Sequence, residues 1–374
     1  MESVINTIVW AAIIQGLLLG LLYIFSKRHR SRANKLLGFF LLCFVLEALT
    51  MWLPFDYLGS YSVSQYFDLP EVKLLFPVLF LNYVLEKLGA VKNYRTFLKF
   101  HYILVFAVML LTLPNLILFA VSGESLRDYF SWDTISNVFL ANQYYAFFLT
   151  IVALVISIKE VLRYQNKIRN AYSDLDMLEI KWLWQFIFAL VPITFMWGLE
   201  LTRIAFGGSG MSVFVLLTWA FIIVFIYFVS FIAFHRKNLF EGVPELVMND
   251  EEATEQKNDH SGRDFKAMSI ELQHAMESKN YYLNHDLTIY DLSKEMNIPP
   301  RLLSTCINQE IGVNFNEWVN NYRVEKALDL LQDPSKIHYS IEGIGEDAGF
   351  KSRSAMYTAF KKKTGYSPGH FRKQ

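Results

Sequence analysis

Long apolar stretches dominate the first part of the chain, broken by short polar ones. They cover 8–25, 36–53, 72–88, 100–121, 138–158, 182–206 and 211–234. Each is close to the ~20 residues a helix needs to cross a ~30 Å hydrocarbon core. The runs are continuous rather than alternating, and a backbone in hydrocarbon must satisfy its own polar groups, so the pattern predicts seven transmembrane helices. Glu2 precedes the first run, whereas Lys27, Arg28, Arg30 and Arg32 follow it. A cleaved leader has the reverse arrangement, so this helix is expected to remain.

From Phe265 onward the pattern changes to short amphipathic segments with marked ends. Thr288 and Asp291 have capping-box spacing and open a helix to Met296, after which Asn297 suits a left-handed cap. Pro299 and Pro300 restart a helix that continues toward Glu310, and Gly312 ends it. Leu292, Met296, Ile298 and Leu303 can then face inward, which makes a helix-turn-helix. Asn314 caps a long helix, Phe315–Gln332, which Asp333 and Pro334 stop. In a second unit, Ser340 caps 341–348, Gly349 turns, and Ser352 caps Arg353–Thr364 before Gly365. Ser367 and Pro368 start a last short turn.

Composition fits this division. Hydrophobic residues make up 53% and aromatic residues 16%, amounts that call for an apolar solvent. A formal net charge of zero averages two unlike halves. The two cysteines, Cys43 and Cys306, fall in different halves, so no disulfide framework or cysteine metal site is implied.

Lys and Arg sort the loops. One set holds Lys27, Arg28, Arg30, Arg32 and Lys35, then Lys87, Lys92, Arg95 and Lys99, then Lys159, Arg163, Lys167, Arg169 and Lys181, then Arg236 and Lys237. The opposite set holds Arg127, with Lys73 and Arg203 at helix ends. The positive-inside rule then puts the N-terminus outside and everything after Phe234 in the cytoplasm, which requires an odd number of crossings. Trp52, Trp132, Trp182, Trp184 and Tyr57 fall near helix ends and are expected in an aromatic belt. Residues 238–262 are acidic and are expected to form a flexible linker; at about 25 residues its reach is roughly 25–30 Å.

The second unit carries a further signature. The run Asp347, Ala348, Gly349, Phe350, Lys351, Ser352, Arg353, Ser354, Ala355, Met356 and Tyr357 is followed by Phe360, three lysines, Thr364, Gly365, Tyr366, Ser367 and Pro368, then Phe371 and Arg372. With the first unit and a bridging helix holding Arg323, Ala327, Leu330 and Leu331, it resembles the AraC/XylS-type DNA-binding domain over about 264–374. Cys306 and Ile307 stand where that pattern has a bulky apolar pair. Together with the apolar runs and the acidic stretch, the resemblance gives an all-α expectation: an N-terminal seven-helix transmembrane bundle over 1–237 and the linker over 238–262, both from the residue pattern, and an AraC-type domain over 263–374, from the resemblance. In it, two helix-turn-helix units are bridged by a long helix, each placing a recognition helix in a major groove of double-stranded promoter DNA.

From Gly349 on there is no Asp or Glu, but Lys351, Arg353, Lys361, Lys362, Lys363, Arg372 and Lys373 are present. The second unit is therefore expected to supply most phosphate affinity. The residues expected to contact DNA are Pro300, Arg301, Ser304, Thr305 and Asn308 in the first unit. In the second they are Lys351, Ser352, Arg353, Ser354, Tyr357, Lys361 and Lys362. Met356 and Phe360 are expected in the core.

Within the apolar half, Glu47, Asn115, Asn142, Gln143, Glu200 and Arg203 all lie toward the outer side in this topology. Charged groups at depth are expensive, and Glu200 and Arg203 have the i,i+3 spacing of a pair. Two readings stand: a ligand pocket open to the outside, or hydrogen bonds between helices. No His-Glu-x-x-His, P-loop or Gly-x-Ser-x-Gly motif occurs, and the histidines are scattered, so no enzyme, cofactor or metal site is expected.

The leading expectation is a one-component transcription regulator in a bacterial cytoplasmic membrane. A small-molecule or envelope signal would act by repositioning or homodimerising the DNA-binding domain, or by proteolytic release. The alternative is a transporter or membrane enzyme with an attached DNA-binding module, which a flux assay in vesicles would reveal. A structural anchor between DNA and membrane would bind with little sequence specificity.

Overall fold

The computed structural model describes every residue except 1, 27–30, 53–56, 59–60, 63–69, 123, 125–127, 176–180, 209–211, 236–263 and 373–374. The expected linker at 238–262 thus lies outside the described residues. The chain divides into two compact units, 1–161 with 180–243, and 162–179 with 244–374. Residues 162–179, which the sequence leaves in the membrane half, belong with the C-terminal unit.

The N-terminal unit contains α1 (Glu2–Phe25), α2 (Arg32–Trp52), α3 (Pro70–Leu88), α4 (Arg95–Ser122), α5 (Trp132–Ala171, as far as Val161), α6 (Lys181–Ala205) and α7 (Val213–His235). A short hairpin pairs Tyr57 with Ser62 and Leu58 with Tyr61. The seven helices coincide with the seven apolar runs. Five of them, α1, α4, α5, α6 and α7, are long and apolar enough to cross a membrane. The other two, α2 and α3, pack inside the unit through Leu37, Phe40 and Leu41, and through Tyr83, Val84 and Leu85. α1 and α2 approach closely at Gly20 and Gly38, where a Cβ on Gly38 would stand 2.7 Å from the Gly20 carbonyl oxygen. Small residues at a helix crossing allow this contact. Trp182 departs from the expected aromatic belt: it is buried, packed against Tyr83 and Phe186, with the Lys87 ammonium 5.9 Å from its ring.

Several polar side chains in this unit bridge helices. Gln15 donates to Ser230 at 2.5 Å, joining α1 to α7. Asn82 donates to Tyr102 at 2.8 Å, and Asn142 to the Pro70 carbonyl at 2.9 Å.

The C-terminal unit is built on α8 (Phe265–Ser278), α9 (Ile289–Met296), α10 (Pro300–Cys306), α11 (Phe315–Gln332), α12 (Ile341–Asp347) and α13 (Arg353–Thr364). Its helix ends follow the local chemistry. Both halves of the Thr288 and Asp291 capping box form, and Asn297 adopts φ 54°. A single π-helical turn, Ile307–Ile311, extends α10 to Gly312 at φ 81°.

The bridging helix α11 serves two cores. Phe315, Trp318 and Val319 join Leu272, Met276, Leu292 and Leu303 in the first. Val324, Ala327 and Leu331 join Ile344, Phe350, Met356 and Phe360 in the second. At roughly 100° per residue these two triplets point to opposite faces of one helix. The apolar stripe thus changes sides near Arg323, and each helix-turn-helix unit takes one side. Cys306 and Ile307 are fully buried in the first core and fill the place of the bulkier pair. Burial, with the Glu310 carboxylate nearby, pushes the Cys306 thiol above its ordinary value.

Candidate functional sites

In the first unit α10 follows Pro299, with Pro300 in its first turn. Leu302, Leu303 and Cys306 turn inward. This leaves Arg301 and Asn308 exposed and Pro300, Ser304 and Thr305 half-buried on the outer face. Thr305 Oγ1 donates back to the Arg301 carbonyl at 2.8 Å. Asn308 Nδ2 donates to the Ser304 carbonyl at 2.7 Å and to Asn170 Oδ1 at 3.3 Å.

The second unit makes a sharper turn. Gly349 has φ 93°, and a Cβ there would run into the Tyr282 carbonyl. Ser352 then caps α13 by accepting from the Ala355 amide at 3.1 Å. Met356 and Phe360 are buried, so Arg353, Ser354, Lys361 and Lys362 face solvent and Tyr357 is half-buried. The Arg353 guanidinium lies 5.0 Å from the centre of the Tyr357 ring.

Four basic side chains of this unit are held by acids from other elements. Lys351 pairs with Asp286 at 2.5 Å and Arg353 with Glu342 at 2.6 Å. Lys362 pairs with Glu317 at 2.5 Å and Lys363 with Glu325 at 2.6 Å. Exposed pairs of this kind contribute about 0–1 kcal/mol, so another anion can replace any of these carboxylates at little cost.

Sequence reasoning placed Arg323 in the bridging helix but gave it no role. It is only 1% exposed and donates to the carbonyls of Tyr282 at 2.8 Å and Asn284 at 2.7 Å. Burial lowers it to about 10, still far above neutral pH, so it stays charged. Its guanidinium sits 6.0 Å from the Phe350 ring of the second unit.

A cavity of about 490 Å³ lies within the N-terminal unit. Phe40, Phe44, Phe76, Phe80, Trp197 and Trp219 form apolar walls, and Glu47, Lys73, Gln143 and Glu200 supply polar groups. Arg203 grips the Glu200 carboxylate through two nitrogens, at 3.0 and 2.7 Å, and Ser212 donates to it as well. Of the six polar residues singled out in the sequence, Glu47, Gln143 and Glu200 line the cavity, with Arg203 behind Glu200. Asn142 instead bonds the start of α3, and Asn115 is not among the lining residues.

Comparison with known proteins bears on the C-terminal unit. A helix-turn-helix domain family matches residues 292–374. An uncharacterized HTH-type transcriptional regulator of Bacillus subtilis, YtdP, is 24% identical over 137 residues, 36% of this chain and 17% of that protein. A second B. subtilis regulator, YfiF, is 36% identical over 90 residues, 24% of this chain and 27% of that protein. Regulatory protein PocR of Salmonella typhimurium is 26% identical over 103 residues, 28% of this chain and 33% of that protein. The chain thus spans a third or less of the length of these relatives. With two capped helix-turn-helix units on one bridging helix, the C-terminal region is an AraC-type helix-turn-helix domain of the kind found in transcriptional regulators.

Proposed function

We propose that this chain is a membrane-embedded one-component transcription regulator. In this reading the α10 and α13 units bind promoter DNA, and the N-terminal helices sense a signal that controls them. The observation that carries the DNA-binding part is the outer face of α13. Ser352, Arg353, Ser354 and Tyr357 stand at its start, where base edges are read, and Lys351, Lys361 and Lys362 flank them for phosphates. On α10, Pro300, Arg301, Ser304, Thr305 and Asn308 take the equivalent role with less charge.

The membrane part rests on the outward surface of the N-terminal unit. Leu18, Phe100, Phe148, Phe188, Val224 and Phe231 are all exposed, on α1, α4, α5, α6 and α7. Soluble monomers rarely expose apolar patches beyond a few hundred Å², and lipid is the solvent that suits this one. The basic loops favour an external N-terminus and a cytoplasmic DNA-binding region. The cavity, with Glu47, Gln143 and Glu200 in an aromatic wall, is the site we assign to a small-molecule signal.

Selection of bound sites from genomic DNA with the full chain in lipid nanodiscs, followed by footprinting, tests the reading. Two protected half-sites of defined sequence are expected. Binding without sequence preference overturns regulation in favour of an anchor. Recovery of the full chain in the soluble fraction of cells overturns the membrane assignment.

A further inference from the structure

The last turn of α5 and the residues after it form part of the C-terminal unit. Ala171 is buried in its first core. Tyr172 makes an isolated antiparallel bridge with Thr288, and the Ser173 amide donates to the Leu287 carbonyl at 3.1 Å. Ser173 is itself 1% exposed. Its carbonyl accepts from Asn316 Nδ2 at 2.7 Å, and from Asn320 and Arg323 at 3.4 Å each. Its hydroxyl accepts from Arg323 at 3.0 Å.

We propose that residues 170–173 are a latch that, when docked, holds the first helix-turn-helix unit off DNA, and whose release lets that unit read its half-site. The inference rests on the DNA-binding reading above. At one end of the latch, Asn170 engages Asn308, which also bonds Ser304. Both belong to the face of α10 that would read bases, so the end of α5 stands beside that face, where in that reading a DNA strand would pass.

At the other end the latch completes the bonding of Arg323. Without Ser173, a buried guanidinium loses acceptors it cannot replace from solvent, which is strongly unfavourable. The docked form is therefore the resting form, and release needs work from elsewhere. The means is covalent: α5 runs unbroken from Trp132 to Ala171, and its earlier turns supply Gln143 and Thr150 to the cavity.

The test uses the full chain in nanodiscs and a DNA carrying both half-sites. Replacing Asn316→Ala removes the shortest donor to the Ser173 carbonyl, keeps Asn320 as an acceptor of Arg323, and leaves the reading faces intact. Affinity for the first half-site is expected to rise about fivefold or more, the lower range of allosteric coupling, with the second unchanged. The paired variant Ser173→Cys with Asn316→Cys, once oxidised, is expected to lose protection of the first half-site alone and regain it on reduction. Equal responses at both half-sites overturn the latch. So does weaker binding with a lower melting temperature in the alanine variant, which marks a purely structural segment. A locked form that still protects the first half-site overturns it too. Absence of sequence preference at either half-site removes the DNA-binding reading, and the latch with it.

Discussion

Lys351 Nζ lies 2.5 Å from the Asp286 carboxylate, tying the turn of the second helix-turn-helix unit to the loop that precedes the first. The two side chains are 44% and 73% exposed, so the pair adds little to stability. In the DNA-binding reading proposed above, it occupies a cation that would otherwise be open to a phosphate. Asp286→Asn is expected to strengthen DNA binding at low salt and leave the melting temperature unchanged. Lys351→Ala should weaken it and reduce the salt slope by about one. The bond to Asp286 raises Lys351 above the ordinary lysine value. The contribution of the pair is thus complete below that value and is lost only as pH rises through the raised one. A comparison of the two variants between pH 6 and 8 should therefore show no pH dependence arising from this pair.

Arg353 and the lysines of α13 should separate by kind of effect. Arg353→Ala is expected to relax specificity at one base position by about 1–3 kcal/mol in a binding-site selection. Lys361→Ala and Lys362→Ala should instead weaken all sequences alike, each lowering the salt slope by about one.

Gly349→Ala tests the turn. At φ 93° an alanine is strained, and its Cβ would run into the Tyr282 carbonyl and stand 2.9 Å from Leu283 Cα. A loss of more than about 1 kcal/mol is expected in thermal unfolding. Wild-type stability in this variant would show that the two units do not meet at this point.

The cavity makes its own prediction. Glu47→Ala and Glu200→Gln should abolish the response of a reporter promoter to the inducing signal while protein level in the membrane is unchanged. Arg203→Ala should do so as well, because it leaves the Glu200 carboxylate without its two guanidinium bonds. A normal response in all three variants, at normal expression, removes the cavity from the signalling path.

Local chemistry made much of this legible in advance. Thr288 with Asp291, Asn314 and Ser352 fix helix starts, and α11 matches its expected span of Phe315–Gln332 because a side-chain acceptor and a proline bracket it. Among the described residues each apolar run falls on a helix, and five of those helices are long and apolar enough to cross a membrane. Hydropathy does not reveal which way a residue faces, and so Trp182, expected in the aromatic belt, packs inward instead. Ser173 was invisible: a serine after a helix has no pattern, and its partner Arg323 is 150 residues away. A weak signal did exist in Tyr164, Ile168, Ala171 and Tyr172, apolar residues that continue a helical spacing past the last turn of the fifth apolar run. Fully expected and fully missed features thus differ mainly in sequence separation.

Because Ser173 and Arg323 are 150 residues apart, a ribosome working at about 5–20 residues per second delivers one roughly 8–30 s before the other. Two long helices, α6 and α7, are made in the interval. The C-terminal domain therefore finishes folding around a piece of chain that has been waiting for it. A protease that cuts after α7 leaves that piece behind. The freed fragment lacks Ala171 in its first core and the Ser173 acceptors of Arg323, so it is a looser and shorter-lived molecule than the domain from which it came.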